Sequence, residues 1–490
     1  MFNLNRILAT LFVFISTTLV LTKKLKNYPK EPFVKHGRLW RLLQPLKAIR
    51  KVFFKRIIYR LKYFFYRDKE NLQHEFAFRS AQEVSQTLGQ MKGALMKLGQ
   101  LASFIDNTLP DNAKEALATL QKSAPPMVKE LTFEVFKDSF GRYPDEVFKV
   151  FKSDPLAAAS IGQVHFALTK KGDPVAVKIQ YPNIKESIIA DLNNLNLISI
   201  IKPFLWKGLD LEALIAELKE RLLEEVDYLI EAKNQMTFYE FYKHHPFIKI
   251  PLVYSDYSTD KILTTEFISG KSFYEIKAAS QNERNLAAEA IYRFAFRSIY
   301  HMLAFNGDPH PGNYLFHSKG VVTFLDFGLV KHFTVDDIAQ TFEIIRYGAL
   351  TPDKAKLRQA IENCGFIKKQ APVTDEELYD FSEIFLALVK QDCDFTIDPR
   401  WASEVSRRVL FGYTSHKNVI NYANLPANYA ILQRINLGLL AVMGQLNATA
   451  NWRKISEEIW PEIQGPPSSY LGHLEKKWLE DKAKREPLHL

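Results

Sequence analysis

Three kinds of hydrophobic pattern follow one another along the chain. Residues 7–22, ILATLFVFISTTLVLT, form an uncharged, largely apolar run between Arg6 and Lys23, Lys24 and Lys26. As a helix, this run spans about 24 Å, a little less than a ~30 Å hydrocarbon core. Flanking lysines can snorkel and extend it. The run reads as an uncleaved N-terminal anchor. A cleaved signal peptide and a buried helix are the competing readings, although no A-x-A-like site precedes the lysines.

From residue 68 the pattern becomes helical periodicity interrupted by short strand-like runs. IGQVHFAL (161–168) and VAVKIQY (175–181) are β-rich and flank a turn containing Gly172 and Asp173, which predicts a hairpin. YLFHSKGVVTFL (314–325) predicts a second strand–turn–strand unit. LKERLLEEVDYLIEAKNQ (218–235) is helical by pattern, with Asp227 and Glu231 four residues apart and hence on one face. NYAILQRINLGLLAVMGQL (428–446) is an amphipathic or buried helix, and Arg434, Asn436 and Gln445 argue against a membrane span. In MKGALMKLGQLASFIDNTLP (91–110), Gly93 and Gly99 are costly in a helix and point to close packing against another element.

Composition adds little, and charge adds more. The chain has 490 residues, 47% hydrophobic and 24% charged, which suits a two-lobed globular core. Cys364 and Cys393 cannot build a disulfide framework. The absence of CxxC, HExxH or a local His/Cys cluster argues against a structural zinc site. The net charge of +10 is concentrated in residues 23–67, where 15 Lys/Arg face a single acid, Glu31; everything else carries −4. A nucleic-acid-binding domain would spread such charge over its folded surface, so no nucleic-acid partner is expected. RLWRLLQPLKAIRKVFFKRIIYRLKYFFYR (38–67) interleaves basic and aromatic residues, the composition of a helix lying on an anionic membrane surface. A basic linker is the plain alternative. With residues 7–22 as an anchor, the positive-inside rule places the rest in the cytoplasm. Without an Arg/Ser-rich transit peptide, that points to a bacterial inner membrane.

The chemistry is concentrated in three places. NGDPHPGNYLF (306–316) precedes GVVTFLDFGLV (320–330), so Asp308 and Asn313 stand five apart and Asp326-Phe327-Gly328 follows. This is the protein-kinase spacing of a catalytic carboxylate, a metal-binding asparagine and a DFG aspartate. Upstream, Val-Ala-Val-Lys supplies Lys178 on a strand. Phosphoryl transfer from ATP needs a lysine for the phosphates, hard oxygen donors for Mg²⁺ and a carboxylate to orient the nucleophile. The combination points to an ATP and Mg²⁺ site.

Together with KLGQ (97–100), AAAS (157–160), EVDY (225–228), DPHPGN (308–313) and LDFG (325–328), these residues resemble the UbiB/AarF-like atypical kinases over roughly residues 75–450. The resemblance implies an α+β, helix-rich, two-lobed protein-kinase-like fold with an N-terminal helical extension, to which the 7–22 run adds a membrane anchor. The expected divisions are 1–22 anchor, 23–67 juxtamembrane segment, 68–130 helical extension, 131–270 small lobe and 271–490 large lobe. It also implies an atypical kinase or ATPase serving ubiquinone or other isoprenoid-lipid metabolism, with an isoprenoid lipid or lipid-synthesis enzymes as partners. Residue by residue, Lys178 matches the ATP lysine, Glu231 its partner, Asp308 the catalytic-loop carboxylate, and Asn313 and Asp326 the metal positions. Ala157, Ala158, Ala159 and Ser160 match the nucleotide lid, and Glu266 to Ile268 the adenine-facing hinge. Lys97 would reach Glu225 or Asp227, and Lys97 and Gln100 would block a protein substrate. An alanine lid should be stiffer than a glycine one, and LAAAS (156–160) also reads as a helix start. The His-Arg that precedes the catalytic Asp of typical protein kinases is replaced by Asn306-Gly307, and no Ala-Pro-Glu follows DFG. Two other functions fit the same residues: a nucleotide-sensing scaffold, and a small-molecule or protein kinase with an unrelated acceptor.

Overall fold

The computed structural model describes residues 127–490 apart from 160, 187, 190–225, 308, 412–416, 425–426 and 486–490. The expected anchor, juxtamembrane segment and nearly all of the helical extension lie outside these residues.

The first half of the fold is a helix on a twisted antiparallel sheet. Helix α1 (Lys129–Phe140) precedes strands β1 (Val150–Phe151), β2 (Ala157–Ala158), β3 (Gly162–Leu168) and β4 (Pro174–Gln180). Helix α2 (Tyr228–Phe241), β5 (Ile248–Lys249) and β6 (Ile262–Glu266) follow. The sheet order is β1-β3-β4-β6, with β2 also paired to β3. The predicted hairpin is present: β3 and β4 pair from Gly162↔Gln180 to Leu168↔Pro174, and Gly172 takes a positive φ of 97° in the turn.

Strand periodicity decides which side chains face where. In β4, Val175, Val177 and Ile179 are fully buried against Phe136 and Phe148. Each such burial is worth roughly 1.5–3 kcal/mol, and the alternation turns Lys178 to the opposite face. β3 and β4 approach closely at Gly162, where a Cβ would lie 2.1 Å from the Ile179 carbonyl oxygen. Only glycine can occupy this position.

The second half is mostly helical, built around α3 (Gln281–Arg297), whose Ala288, Ala290, Ile291 and Phe294 are buried. Around it lie β7 (Ala304–Asn306), β8 (Tyr314–Phe316), β9 (Val322–Phe324) and β10 (Val330–His332), then α4 (Ala427–Leu446) and α5 (Tyr470–Arg485). β8 and β9 form the second predicted hairpin, β5 joins β9 in parallel, and β7 pairs with β10. Phe294 of α3 stacks on Phe324 of β9 with ring centroids 3.7 Å apart. Among the described residues no helix is long and apolar enough to cross a membrane, α4 included.

α5 is held on α3 by buried charge. Arg293 is fully buried and bonds Glu289, Glu458 and Glu475 at 2.7, 2.8 and 2.8 Å. Arg297 adds a second cation on Glu475 at 2.8 Å. Desolvation opposes both charges, but the arginines hold the Glu475 carboxyl well below the usual range and the carboxylates raise Arg293. Such a cluster adds little net stability when complete, and losing one partner costs roughly 3–5 kcal/mol.

His165 and His245 are buried, and burial lowers each pKa from 6.5. The folded chain therefore binds fewer protons than the unfolded chain once the pH falls below that value. Their contribution is complete above 6.5 and declines through the window beneath it. The urea midpoint is expected to drop between about pH 7.5 and 5.5, and a midpoint constant over that range would contradict this account.

Candidate active site

Lys178 is the centre of the site. Its ammonium meets both oxygens of Glu231, in the first turn of α2, at 2.8 and 2.9 Å. Asp326 Oδ2 lies 3.6 Å away, and the Tyr228 ring is 5.0 Å beneath. Burial works against the charge, but Asp326 and Glu231 together outweigh it and hold the Lys178 pKa well above the ordinary lysine value. Lys178 is therefore a permanent cation.

Asn313 and Asp326 arrive from one end of the β8–β9 hairpin. Tyr314 pairs with Phe324, and one residue further out the Leu325 N–H donates to the Asn313 carbonyl at 3.0 Å. The 306–313 loop is braced by α4 at Gly438, where a Cβ would sit 2.5 Å from Pro309 Cγ.

Three polar residues that motif reasoning passed over hold these segments in place. His310 Nδ1 accepts the Gly312 N–H at 3.0 Å, and its carbonyl accepts the Asn313 N–H at 2.9 Å, which shapes the turn bearing Asn313. Asn306 Nδ2 donates to the Asp326 carbonyl at 2.6 Å, so a residue that stood out only as a departure from the usual pattern ties the loop to Asp326. Asn234, on α2, donates to the Phe327 carbonyl at 3.2 Å. The Gly328 N–H donates to Asp326 Oδ1 at 2.9 Å. A histidine two residues before Gly312 was the one local signal for the His310 contact; nothing local marks Asn234 or Asn306.

Some expectations change. Ala157 and Ala158 do not start a helix. They are a strand paired with Val164 and Gln163, and the Ala159 N–H closes the turn onto the Gly162 carbonyl at 2.8 Å. Cross-strand pairing with β3 has overridden alanine's helix preference. Asp227 is not inside a helix with Glu231 but is the N-cap of α2, its carboxylate accepting the Leu229 N–H at 3.0 Å. At the hinge, the Glu266 N–H is spent on Leu252 and the Phe267 N–H on Pro174, and the Glu266 carboxylate faces the Leu252 N–H. β6 ends at Glu266, so Ile268 lies beyond the strand pairing. Asp308, Ser160, Lys97, Gln100 and Glu225 lie outside the described residues.

The donor set fits a divalent cation and a polyanion. One carboxylate and one amide are hard oxygen donors of the kind Mg²⁺ takes together with substrate phosphates. Among the described residues no group of three or more His, Cys, Asp or Glu could hold a metal without such a substrate.

Residues 119–361 match the ABC1 atypical kinase-like domain. The chain belongs to the UbiB/AarF-like atypical kinase family. Among curated relatives, the yeast protein "Atypical kinase COQ8, mitochondrial" is 34% identical over 281 residues, covering 57% of this chain and 56% of its own length. Rat "Atypical kinase COQ8B, mitochondrial" is 30% identical over 61% of this chain and 57% of its own length. The Arabidopsis thaliana protein "ACTIVITY OF BC1 COMPLEX KINASE 7, chloroplastic" is 31% identical over 57% of this chain and 41% of its own length. The chain thus spans about two fifths to three fifths of the length of these relatives. Their names place them in mitochondria and chloroplasts, compartments that the sequence pattern did not suggest. Among solved structures, the Mycobacterium tuberculosis protein Rv3197, in complex with erythromycin, matches with a TM-score of 0.60 and 28% identity, covering 81% of this chain and all of that one. The kinase-like α+β fold is common to this family.

Phe327 is the packing keystone of the site, fully buried with its ring 5.0 Å from Phe238 of α2. Phe327→Ala is expected to cost about 3–5 kcal/mol in urea unfolding. A loss below about 1 kcal/mol would mean that the ring does not join α2 to the Asp326 segment.

Proposed function

We propose that this chain binds Mg-ATP at the Lys178 cleft and transfers its terminal phosphoryl group to water or to a small or lipid acceptor. The activity supports ubiquinone or other isoprenoid-lipid metabolism at an anionic membrane surface. The observation that carries the reading is the two-pronged Lys178–Glu231 pair with Asp326 3.6 Å from the same ammonium. A lysine oriented by a carboxylate and set beside a metal-holding aspartate is the arrangement that phosphoryl transfer from ATP requires.

The residues divide the work. Glu231 orients Lys178, whose ammonium binds phosphate oxygens. Asn313 and Asp326 would hold Mg²⁺, which when bound neutralises charge on the phosphoryl oxygens. Asp308 orients the acceptor hydroxyl and takes its proton. The Ala157–Ala159 segment covers the phosphates, and the Ile268 backbone meets the adenine. By the family resemblance, Lys97 and Gln100 would narrow the acceptor to a small molecule or lipid. The family resemblance supports the isoprenoid-lipid role, and the basic, aromatic 38–67 segment supports the membrane surface.

Full-length protein in liposomes, assayed for ADP release with Mg-ATP, tests the reading. Asp326→Asn should lower turnover by roughly two orders of magnitude or more, and anionic liposomes should stimulate where neutral ones do not. Nucleotide binding without turnover would make the protein a nucleotide-sensing scaffold instead, and labelled phosphate on a protein would make it a protein kinase.

His310 gives a finer test. His310→Phe should raise the Mg²⁺ needed for half-maximal turnover by about tenfold. His310→Asn should stay near wild type, because its side-chain oxygen can accept the same N–H two residues on. Equal behaviour of the two variants would dismiss the cap.

A further inference from the structure

The C-terminal helix α5, besides its buried charge pairs with α3, contacts the far end of the helix that carries Glu231. Lys482 Nζ donates to the carbonyl of Phe241, the last residue of α2, at 2.6 Å, and lies 4.0 Å above the Phe241 ring. The Trp478 indole N–H donates to the Lys243 carbonyl at 3.1 Å. The last carbonyls of a helix have no partner within it, and a cation there complements the helix dipole. α5 therefore caps α2 from outside. The Trp478 ring is buried against His245 and Tyr242, at centroid distances of 4.4 and 6.2 Å. Tyr242 in turn bonds Ser298 Oγ at 2.7 Å. The foot of α5 is fixed by Glu475 on Arg293 and Arg297.

The other end of α2 is tied to the sheet. The Tyr228 N–H donates to the Asp260 carbonyl at 2.9 Å, and Gln180 of β4 donates to the Val226 carbonyl at 2.9 Å. Between the two ends, Asn234 and Phe238 hold Phe327. Ten residues separate Glu231 from Phe241, about 15 Å along a rigid helix. A shift at one end must move the other.

We propose that α5 is a positioning clamp: through Lys482 and Trp478 it sets the seat of α2, and through α2 it sets the Glu231–Lys178 pair and Phe327. Whatever lifts α5 from α2 loosens the nucleotide site without touching it. α5 lies beyond the matched 119–361 region, so this control belongs to the part of the chain outside the shared domain. The effect on nucleotide binding rests on the proposed Mg-ATP site; the effect on α2 does not.

The test uses the full-length chain with Lys482→Met and Trp478→Phe together, changes that keep the apolar stem and the stacked ring but remove both donors. Amide exchange across residues 228–245 should quicken by about tenfold through easier local opening, while exchange in β9 stays unchanged. The affinity for Mg²⁺ with a non-hydrolysable ATP analogue should fall about three- to tenfold, as the binding-competent fraction falls. In a cycle with Glu231→Gln the two losses should not add, because the clamp acts through Glu231. Unchanged exchange, or losses that add fully, would overturn the clamp. A wild-type chain that binds no nucleotide would overturn the proposed site instead, and the exchange rates across α2 would then decide the clamp alone. Lys482→Met by itself replaces the double variant if that variant does not fold.

Discussion

A lysine ammonium in a half-buried cleft must be neutralised by carboxylates that are themselves held in place, because an unpaired charge there would be prohibitively costly. Lys178, Glu231 and Asp326 satisfy that constraint, and much of the fold is arranged to do so. β4 is paired on both sides, by β3 and β6, and its alternation leaves Lys178 one direction to point. α2 delivers Glu231 from its first turn, just past the Asp227 cap. The β8–β9 hairpin delivers Asp326 beside Asn313. The formal charges of the three residues sum to −1, which favours a divalent cation close by.

The Ala157–Ala159 segment, the proposed lid, is built without a glycine-rich loop. Glycines let backbone amides fold over phosphates by adopting angles closed to other residues. Here Ala157 and Ala158 are extended and locked to β3, and the tight turn after them closes on Gly162. The one glycine of that turn is required for a different reason, since β3 and β4 leave no room for a Cβ. A strand-locked lid loses little conformational freedom on meeting a ligand, and it has correspondingly little range of motion.

Asparagines and a histidine take over positioning work around the loop. Asn306 binds the Asp326 carbonyl, Asn234 binds that of Phe327, and His310 shapes the turn into Asn313. The two asparagines close hydrogen bonds that buried or half-buried backbone groups would otherwise lack. α2 gathers these ties: its middle holds Phe327, its start holds Lys178, and its end is capped by Lys482 and Trp478.

Local pattern was enough for whatever depends on neighbouring residues. The β3–β4 hairpin, the β8–β9 hairpin with both metal-position residues at one end, and the helical character of α4 were all legible from spacing, turn residues and periodicity. The Lys178–Glu231 pair spans 53 residues and could be expected only through the family resemblance. Tertiary structure decided the rest. It made Ala157–Ala158 a strand, because a partner strand lies alongside. It made Asp227 a cap, because α2 starts after it. It brought Arg293, Arg297 and Glu475 into a buried cluster joining segments about 180 residues apart. Propensity and periodicity act over a few residues. Whether a charge is solvated or buried, and which carbonyl a distant lysine caps, is settled only when the chain closes on itself.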